Sequence, residues 1–360
     1  MDIITHSCLG ACLGEIALGR QLGKKAVLLG VVLQDLPDAD TLLSIFYPAD
    51  RMLMIHRGIS HSLFFALVGG IILARILPVQ RAWWFCCGSL IIHDVLDCCN
   101  AYGTGFFEPF SENRVTFHLL YVADPLFSAA IAAVAIALVV LKMSPVRRRI
   151  FALSAVGASL LYLSGAVVSK IIVSRAIRHE LAQQGLRPQR YFITPAPLTS
   201  MFWMIVAFKN DTCYTGYRSV FDRSGSAVKF EAHPQNFHLL KQIRETPRIR
   251  RLKRFAGNDF IIMPVGNQLF LGIVRFGLVQ GWHVKNASFV FTYPLQGPDP
   301  GNALLQKGRL SGWNLSTFCQ YLQRVSGRAV ILTPRSGPVH LRDISLAKRS
   351  SLTLLSVQAP

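Results

Sequence analysis

The chain has 360 residues, of which 51% are hydrophobic and 16% are charged, and its formal net charge is +19. Charged residues make up about a quarter of an average soluble domain, so this composition argues against an entirely soluble protein and favours a membrane protein. The charge is unevenly distributed: residues 1–173 contain 13 Lys and Arg against 11 Asp and Glu, whereas residues 174–360 contain 25 against 8. We therefore predict a nearly neutral, apolar domain up to residue 173 and a basic region after it.

Six apolar segments precede residue 174 and are the predicted helices of the first domain. They run over Ile4–Leu18, Ala26–Leu33, Leu63–Val79, Trp83–Leu96, Leu126–Leu141 and Ile150–Val173. Only the last two approach the roughly 20 apolar residues that cross a bilayer. Shorter helices can still belong to a membrane bundle if their neighbours cover their polar residues. The segments predict an all-α polytopic membrane helical bundle over residues 1–173.

The links between these segments differ in charge on the two sides of the predicted bundle. One set of links carries no acidic residue and nine basic ones: Arg20, Lys24, Lys25, Arg75, Arg81, Lys142, Arg147, Arg148 and Arg149. The other set is mostly acidic. Because basic links prefer the cytoplasmic side, we expect the chain after the sixth segment to emerge on the outer, periplasmic side.

Histidine and aspartate residues cluster at the segment ends on that outer side. The cluster comprises His6, Asp35, Asp38, Asp40, His56, His61, His93, Asp94, Asp97 and Asp124. Because consecutive helices alternate in direction, we expect all of these segment ends at one level of the membrane. A convergence of imidazoles and carboxylates at that level is the pattern expected of a polar site.

The stretch HDVLD places His93 and Asp97 four residues apart, so both side chains lie on one face of a helix. That spacing suits two ligands of one metal ion, or one ligand and a carboxylate that orients it. Ionisable residues inside a membrane segment are costly and usually functional. This favours a metal site over the alternative, a His–Asp hydrogen bond that holds two helices together.

Two further stretches, LQDLPDADTL and HRGISHS, carry Asp38, Asp40, His56 and His61. We expect the helix to end at the proline of the first stretch, with the two aspartates in extended chain beyond it. Carboxylates so close repel unless a cation compensates them, and neutral imidazole is the commonest metal-ligand nitrogen. The alternatives are a polar capping turn for the aspartates and interfacial positions for the histidines. Mixed His and Asp donors suit Zn²⁺ or another divalent transition ion.

Four motifs, in this order, resemble a known family: THSCLG (Thr5–Gly10), LPDAD (Leu36–Asp40), HRGISHS (His56–Ser62) and HDVLD (His93–Asp97). The family is that of the bacterial membrane-bound metal-dependent hydrolases, also named LexA-binding inner-membrane-associated hydrolases. The resemblance covers residues 1–130 and extends loosely to Thr194–Trp203. Ser60 replaces the usual threonine, and Asn100 stands near where a threonine often follows HxxxD. The family is distantly similar to zinc-dependent phospholipase C, which suggests phosphoester hydrolysis.

These motifs and the resemblance imply a metal-dependent hydrolase of the bacterial inner membrane. The predicted ligands of a divalent ion, Zn²⁺ by preference, are His6, Asp40, His56, His93 and Asp97. The predicted catalytic residues are His61, Asp38 and Arg57, with Asp38 and His61 as alternative ligands. A lipid or other amphiphilic ester, especially a phosphoester, is the expected substrate. The alternative is a non-catalytic transporter or partner-binding subunit with a structural metal, although a transport path needs its ionisable groups near the bilayer midplane.

Residues 174–203 are predicted to be a Pro-containing linker and residues 204–360 a smaller, basic α/β soluble domain. Predicted strands are CYTGYRSVF, DFIIMPV, QLFLGIVRFG and ASFVFTYPL, and predicted helices are NFHLLKQI and LSTFCQYLQRV. The basic run Arg248–Phe255 is either a solvated helix face or a contact for anionic lipid headgroups. We expect membrane lipids as partners and no nucleic acid, because the domain is predicted outside the membrane. The sequence does not determine the oligomeric state.

Overall fold

The computed structural model describes residues 1–77, 79, 82–223, 225–296, 305–306 and 310–330. It divides into two compact units: the first consists of Met1–Tyr47 and Met52–Val167, and the second of Pro48–Arg51 and the chain from Val168 onward. We call them the helical unit and the sheet unit. Arg81 and several stretches of the predicted domain 204–360, including all of 331–360, lie outside the described residues.

The helical unit confirms the prediction of a helical N-terminal part, because each predicted segment forms a helix. The helices are α1 (Ile3–Leu22), α2 (Lys24–Asp35), α3 (Ala49–Ile55), α4 (Leu63–Ile76), α5 (Ala82–Cys98), α6 (Pro125–Val140) and α7 (Pro145–Gln183). The start of α3 and the end of α7 belong to the sheet unit. Short side chains start several of the helices: Asp2, Ser62 and Asp124 each accept a hydrogen bond from a first-turn amide. The segments Pro37–Ile45 and Ile59–His61 form 3-10 helices.

Helices α1 and α2 pack with their backbones in direct contact because glycines line the crossing. A Cβ atom on Gly14 would lie 2.1 Å from the carbonyl oxygen of Ala26, and one on Gly30 would lie 2.0 Å from that of Gly10. Small residues that let two backbones approach are typical of helix pairs in membranes. The close approach puts the start of α1 beside the end of α2.

The helical unit exposes apolar side chains on several helices, including Leu28, Ile72, Trp83, Ile136 and Leu161. Among the described residues, α7 alone is long and apolar enough to cross a bilayer as a single helix. A second such stretch exists if Ala49–His61 and α4, which are bent by 57° relative to each other, form one broken span. Helix α6 is apolar but has only 16 residues.

The sheet unit contains two four-stranded antiparallel sheets. The first has the order β1 (Arg190–Pro195), β2 (Phe202–Lys209), β3 (Thr212–Ser219), β4 (Glu231–Pro234), and the second the order β5 (Phe260–Val265), β6 (Gln268–Leu278), β7 (Phe289–Pro294), β8 (Leu305–Gln306). Helices α8 (Pro247–Ala256) and α9 (Leu315–Val325) complete the unit. A C-terminal region of mixed helix and strand is therefore confirmed. Residues 174–203, predicted to be a linker, hold the end of α7 and strand β1.

Strand β2 is buried on both faces. Trp203 and Ile205 pack in a cluster with Ile177 of α7, while Met204 and Val206 belong to a cluster that includes residues of the second sheet. A strand covered on both sides reads as a continuous apolar run rather than an alternating one. This explains why FWMIVAFK was not recognised as a strand from sequence.

The structure refines two predictions made from the sequence of the sheet unit. The run NFHLLKQI forms a short 3-10 helix, Phe237–Gln242, instead of an α-helix. The basic run lies in α8, whose apolar residues Ile249, Leu252 and Phe255 are buried. The apolar face of α8 is thus occupied within the sheet unit, which leaves its basic side chains on the outer face.

Candidate metal centre

Four segments of the helical unit bring histidine and aspartate side chains together. They are the start of α1, the 3-10 helix Pro37–Ile45 after α2, the turn before α4, and the end of α5. Asp38 and Asp40 lie in the 3-10 helix instead of the extended chain that was expected, because proline is well tolerated in the first turn of a helix. The tight turn keeps both carboxylates close to the end of α2.

Asp38, His61, His93 and Asp97 each direct one donor atom into the same small volume, with all four atoms within 4.8 Å of one another. His61 Nε2 lies 3.1 Å from Asp38 Oδ1 and 3.6 Å from Asp97 Oδ2. His93 Nε2 lies 3.9 Å and 3.8 Å from the same two oxygens. Donors bonded to a tetrahedral Zn²⁺ at about 2.0–2.2 Å are about 3.4 Å apart. The four atoms are spaced as the corners of such a site.

The hydrogen bonding of His93 and Asp97 fits a bound cation. Both ring nitrogens of His93 and the Oδ2 atom of Asp97 are buried without a hydrogen-bond partner. Buried polar atoms are nearly always satisfied, so such atoms call for an ion or a water. The donor set, two imidazole nitrogens and two carboxylate oxygens, is one that Zn²⁺ and similar ions accept. By spacing and by chemistry these residues fit a divalent metal.

His6 stands directly beside this group. Its ring stacks on that of His93 with 3.8 Å between centroids, and its Nε2 lies 3.2 Å from Asp97 Oδ1. Gln34 donates its amide hydrogen to the carbonyl oxygen of Ser89, so Gln34 Oε1 is left to accept from His6 Nδ1 at 3.3 Å. This pattern puts a proton on Nδ1 and directs Nε2 toward Asp97, the orientation in which Nε2 can serve as a metal ligand.

A second possible ligand group consists of Asp40, His56 and His61. His56 Nδ1 lies 2.8 Å from Asp40 Oδ1, and His61 Nδ1 lies 3.4 Å from Asp40 Oδ2. The Ser60 hydroxyl donates to the same Oδ2 atom at 2.6 Å. His61 thus belongs to both groups, with Nε2 facing the four-residue group and Nδ1 facing Asp40. A carboxylate behind a metal-binding imidazole commonly fixes its orientation.

Both aspartates of the 3-10 helix favour the ionised form. Burial alone would raise the pKa of Asp38, but the hydrogen bond with His61 and the nearby His93 and His6 hold that pKa below its ordinary range. For Asp40, burial is likewise outweighed by hydrogen bonds with His56 and His61, and its pKa is also lowered. Ionised carboxylates are the form that binds a cation.

Arg57 is buried next to the cluster, with 4% of its surface exposed and a left-handed backbone angle φ of 62°. Its Nη1 donates to Asn100 Oδ1 at 2.8 Å, and its Nε lies 3.2 Å from Asp97 Oδ2. The guanidinium and the buried N-terminal ammonium of Met1, which pairs with Asp97 Oδ1, together balance the charge of Asp97. Left-handed backbone at a non-glycine residue is uncommon and often marks a functional segment. Asn100 anchors this arginine.

Arg114 acts on the backbone of the same turn. Its Nη2 donates to the carbonyl oxygens of Leu53, Met54 and His56, each at 3.0 Å. These contacts satisfy carbonyl groups that the end of α3 leaves without helical partners. Arg114 thus orders the turn that carries His56.

Access to the cluster is narrow. His6, His61, His93 and Asp97 have no exposed surface. The side chains that reach solvent are those of His56, 31% exposed, and Asp38, 11% exposed. His56 and Asp38 are therefore on the open side of the centre, and His6, His61, His93 and Asp97 form its interior.

All eight residues predicted from sequence lie in or against this centre: His6, Asp38, Asp40, His56, Arg57, His61, His93 and Asp97. Two supporting residues, Gln34 and Asn100, were missed as contributors. The sequence could have identified Gln34, because a side-chain amide at the end of an apolar helix needs a buried hydrogen-bond partner. Asp94 is also buried, and neither of its carboxylate oxygens has a hydrogen-bond partner.

Comparison with known proteins gives similarity over the helical part of the chain. A family model described as "YdjM inner membrane protein" matches residues 1–173, a span that contains every residue of the centre. Inner membrane protein YbcI of Escherichia coli (strain K12) is 33% identical over 120 residues, which are 31% of this chain and 69% of YbcI. Uncharacterized protein YfhP of Bacillus subtilis (strain 168) is 31% identical over 151 residues, 38% of this chain and 46% of YfhP. No solved structure matches the chain.

Proposed function

We propose that this chain, which belongs to the YdjM inner membrane protein family, is a multi-pass metal-dependent hydrolase. The observation that carries the proposal is the inward-facing group of Asp38, His61, His93 and Asp97, whose donor atoms are spaced for one ion. Such a group is costly inside an apolar helical unit unless a cation compensates it.

The ion we propose is Zn²⁺, because imidazole nitrogen and carboxylate oxygen together are typical zinc donors. Asp38, His61, His93 and Asp97 would hold it, with His6 as the adjacent fifth donor. When bound, such an ion polarises a phosphoryl or carbonyl oxygen and lowers the pKa of a nearby water.

The remaining residues of the centre orient groups and move protons. Asp40 holds the Nδ1 side of His61, so that Nε2 faces inward. His56 is hydrogen-bonded to Asp40 and is the most exposed imidazole of the centre, which suits it to exchange a proton with solvent. Arg57 offsets the negative charge of Asp97 and fixes its position.

Asp40 and His56 were predicted as metal ligands, and with His61 they form the second group. Metal stoichiometry distinguishes the two assignments. If the four-residue group alone holds the ion, Asp40→Asn lowers metal affinity but leaves up to one equivalent bound at saturation. A second equivalent that disappears only in Asp40→Asn assigns an ion to the second group.

For the substrate we propose a lipid or amphiphilic ester, with a phosphoester as the first choice. The support is the position of the centre at the predicted outer ends of α1, α2 and α5 and the start of α4, near a membrane surface. The resemblance of the four motifs to membrane-bound metal-dependent hydrolases points the same way.

We further propose that the helical unit spans the inner membrane several times, with the sheet unit on the periplasmic side. The support is the exposed apolar surface of the helices and the absence of acidic residues from the links that carry the nine basic ones. A reporter fused after residue 360 tests the orientation. Alkaline phosphatase, which is active only in the periplasm, is expected to be active, and a fluorescent cytoplasmic reporter to be dark; the reverse pattern refutes the orientation.

A hydrolysis screen tests the activity. Detergent-purified protein is assayed on phospholipids and on soluble phosphodiesters and phosphomonoesters, with and without a chelator. We expect turnover that the chelator abolishes, that added Zn²⁺ restores, and that His93→Ala lacks. Activity that ignores the chelator refutes the mechanism. Asp35→Asn, a carboxylate at the end of α2 outside both groups, is the matched control.

A second function is favoured by the burial of the centre. Structural zinc sites are closed by four protein ligands, whereas catalytic sites keep an open position, and His6, His61, His93 and Asp97 are fully buried. A structural metal that holds α1, α5 and the intervening turns together fits this burial. Tight metal retention, a fall in melting temperature on metal removal and no turnover on any ester would favour this function over hydrolysis.

A further inference from the structure

A basic cavity lies at the other end of the helical unit from the candidate metal centre. It has a volume of about 480 Å³ and is lined by the turn between α1 and α2 and the link between α6 and α7. Gly19, one of its lining residues, is 13 positions after His6 in α1, about 20 Å along the helix at 1.5 Å per residue. The cavity is therefore separate from the metal centre.

Three of its lining residues are cationic: Lys24, Lys142 and Arg148. Arg148 is buried and already neutralised, because it forms an ion pair with the buried Glu15 and donates to the carbonyl oxygen of Leu138. Lys24 and Lys142 are exposed. None of the residues lining this described cavity is acidic, so the two lysines leave it with a positive charge.

The cavity also receives the N-terminal ends of two helices. Helix α2 begins at Lys24 and α7 begins at Pro145, and both residues line the cavity. The first amides of a helix carry partial positive charge and bind anions. Gly23 caps α2 without a side-chain hydrogen bond. The C-terminal ends of α1 and α6 reach the same cavity at Gly19 and Leu141, and Lys24 Nζ donates to the carbonyl oxygen of Val139 at 2.8 Å. The helix ends therefore largely offset one another, and it is the two lysines that favour an anionic ligand.

The surroundings of the cavity are apolar, which bears on the kind of anion. Leu28 of α2 is 65% exposed, Val140 at the end of α6 is 68% exposed, and Val146 in the first turn of α7 is 64% exposed. Leu141 and Met143 line the cavity itself. A small inorganic anion gains nothing from these side chains, whereas an amphiphile can cover them with its hydrocarbon.

We propose that this cavity binds the headgroup phosphate of an anionic phospholipid. The phosphate lies between Lys24 and Lys142 at the start of α2 and α7, and the acyl chains cover the neighbouring apolar residues. The site lies on the side that the basic links mark as cytoplasmic, where anionic headgroups attract basic side chains. The proposal concerns a structural lipid and does not depend on hydrolysis at the metal centre.

The test measures lipid binding to detergent-purified full-length protein by native mass spectrometry and by lipid-induced shifts in melting temperature. The probes are phosphatidylglycerol, phosphatidylcholine and inorganic phosphate. We compare wild type with K24Q/K142Q, with the charge-conserving K24R/K142R, and with K25Q, an exposed lysine next to Lys24 that does not line the cavity.

Each lysine near an anionic headgroup contributes about a fivefold preference, so K24Q/K142Q is expected to bind phosphatidylglycerol about 25-fold more weakly than wild type. K24R/K142R and K25Q keep the wild-type affinity. Phosphatidylcholine binds weakly to all variants. Circular dichroism, unchanged in every variant, verifies that the helical unit is folded; if K24Q/K142Q does not fold, the single variant K142Q gives the same comparison with a fivefold effect.

Three results would overturn the proposal. One is wild-type affinity for phosphatidylglycerol in K24Q/K142Q. Another is equal affinity of the wild type for phosphatidylglycerol and phosphatidylcholine. The third is stabilisation by inorganic phosphate as large as that by phosphatidylglycerol, which would mean that the cavity is a site for a free anion.

Discussion

The helical unit and the sheet unit differ in where they place their large apolar side chains. The helical unit buries ionisable groups such as His93, Asp97 and Arg148, and exposes large apolar ones such as Leu161 and Trp83. The sheet unit has a core of large, fully buried side chains, and it exposes fewer large apolar ones: the core includes Phe202, Trp203, Phe270, Phe276 and Tyr321. The two units of the chain therefore differ in how much apolar surface they leave exposed.

The membrane-spanning arrangement proposed for the helical unit would account for this difference. In water, apolar burial drives folding, and the sheet unit is built in that way. In a bilayer, exposed apolar side chains cost nothing, and interior stability depends on close helix packing and on paired polar groups. The glycine contact of α1 and α2 and the buried ion pair of Glu15 with Arg148 are such features. This contrast can be tested by mutations that have opposite consequences in the two units.

The largest effect is expected at the centre of the helical unit. Asp97→Asn removes the negative charge that lies within 4 Å of nitrogen atoms of His61, His93 and Arg57. Metal affinity should therefore fall more than about 100-fold, which exceeds the 10–100-fold loss typical of residues that support a ligand. Competition with a chromophoric chelator measures the affinity. Asp35→Asn is the matched control and should change it less than threefold; equal losses in both variants would contradict the assignment.

Next in size is the loss of a large apolar side chain from each unit. Trp203 is fully buried and its Nε1 donates to Ser169 at 2.8 Å, so Trp203→Ala should lower the free energy of unfolding of the sheet unit by about 3–5 kcal/mol. Trp83 is 59% exposed, and Trp83→Ala should change stability by less than about 0.5 kcal/mol. Denaturant unfolding in detergent measures both, and similar losses would mean that the two units do not differ in this respect.

A third comparison concerns ion pairs. Glu15 and Arg148 are both buried, and Glu15→Gln should lower the free energy of unfolding by about 3 kcal/mol, because it leaves the arginine charge uncompensated. The pair of Lys253 with Glu245 in the sheet unit is exposed, and Glu245→Gln should have no measurable effect. Thermal unfolding of both variants checks the difference; a stable Glu15→Gln protein would show that Arg148 finds another partner.

The smallest effect is expected for Gln34→Leu. This change removes the acceptor that holds the proton on His6 Nδ1, and metal affinity should fall about tenfold, the lower end of the range for a residue behind a ligand. Gln21→Leu, an exposed glutamine at the end of α1, is the control. An unchanged affinity in Gln34→Leu would remove His6 from the proposed ligands.

Periodicity and composition predicted the helical unit well. The six apolar segments lie within helices whose ends differ from the predictions by a few residues, except α7, which extends ten residues past Val173 because its polar end packs on a sheet. Strands β3, β5, β6 and β7 were also predicted. Strands β1, β2, β4 and β8 were missed; for β2 the reason is burial on both faces, which removes the alternation that identifies a strand.

The sequence predicted which residues the candidate metal centre brings together, but not how they are arranged. Counting helix ends predicted that His6, His61 and His93 lie at one level of the bundle. That prediction requires no knowledge of the direction of each side chain. Whether a residue contacts the ion or stands behind a ligand depends on distances of a few tenths of an ångström, and these come from packing. Asp38 and His61, which were predicted as catalytic residues, are members of the four-residue group. Asp40 and His56, which were predicted as ligands, belong to the second group.

Elemental analysis of the purified protein tests the central claim most directly. Wild-type protein, loaded with Zn²⁺ and freed of excess metal in detergent, should retain about one equivalent, and a His93→Ala/Asp97→Ala variant should retain almost none while remaining helical by circular dichroism. Less than about half an equivalent of any transition metal in the wild type, or equal metal in both proteins, would contradict a metal centre formed by these residues.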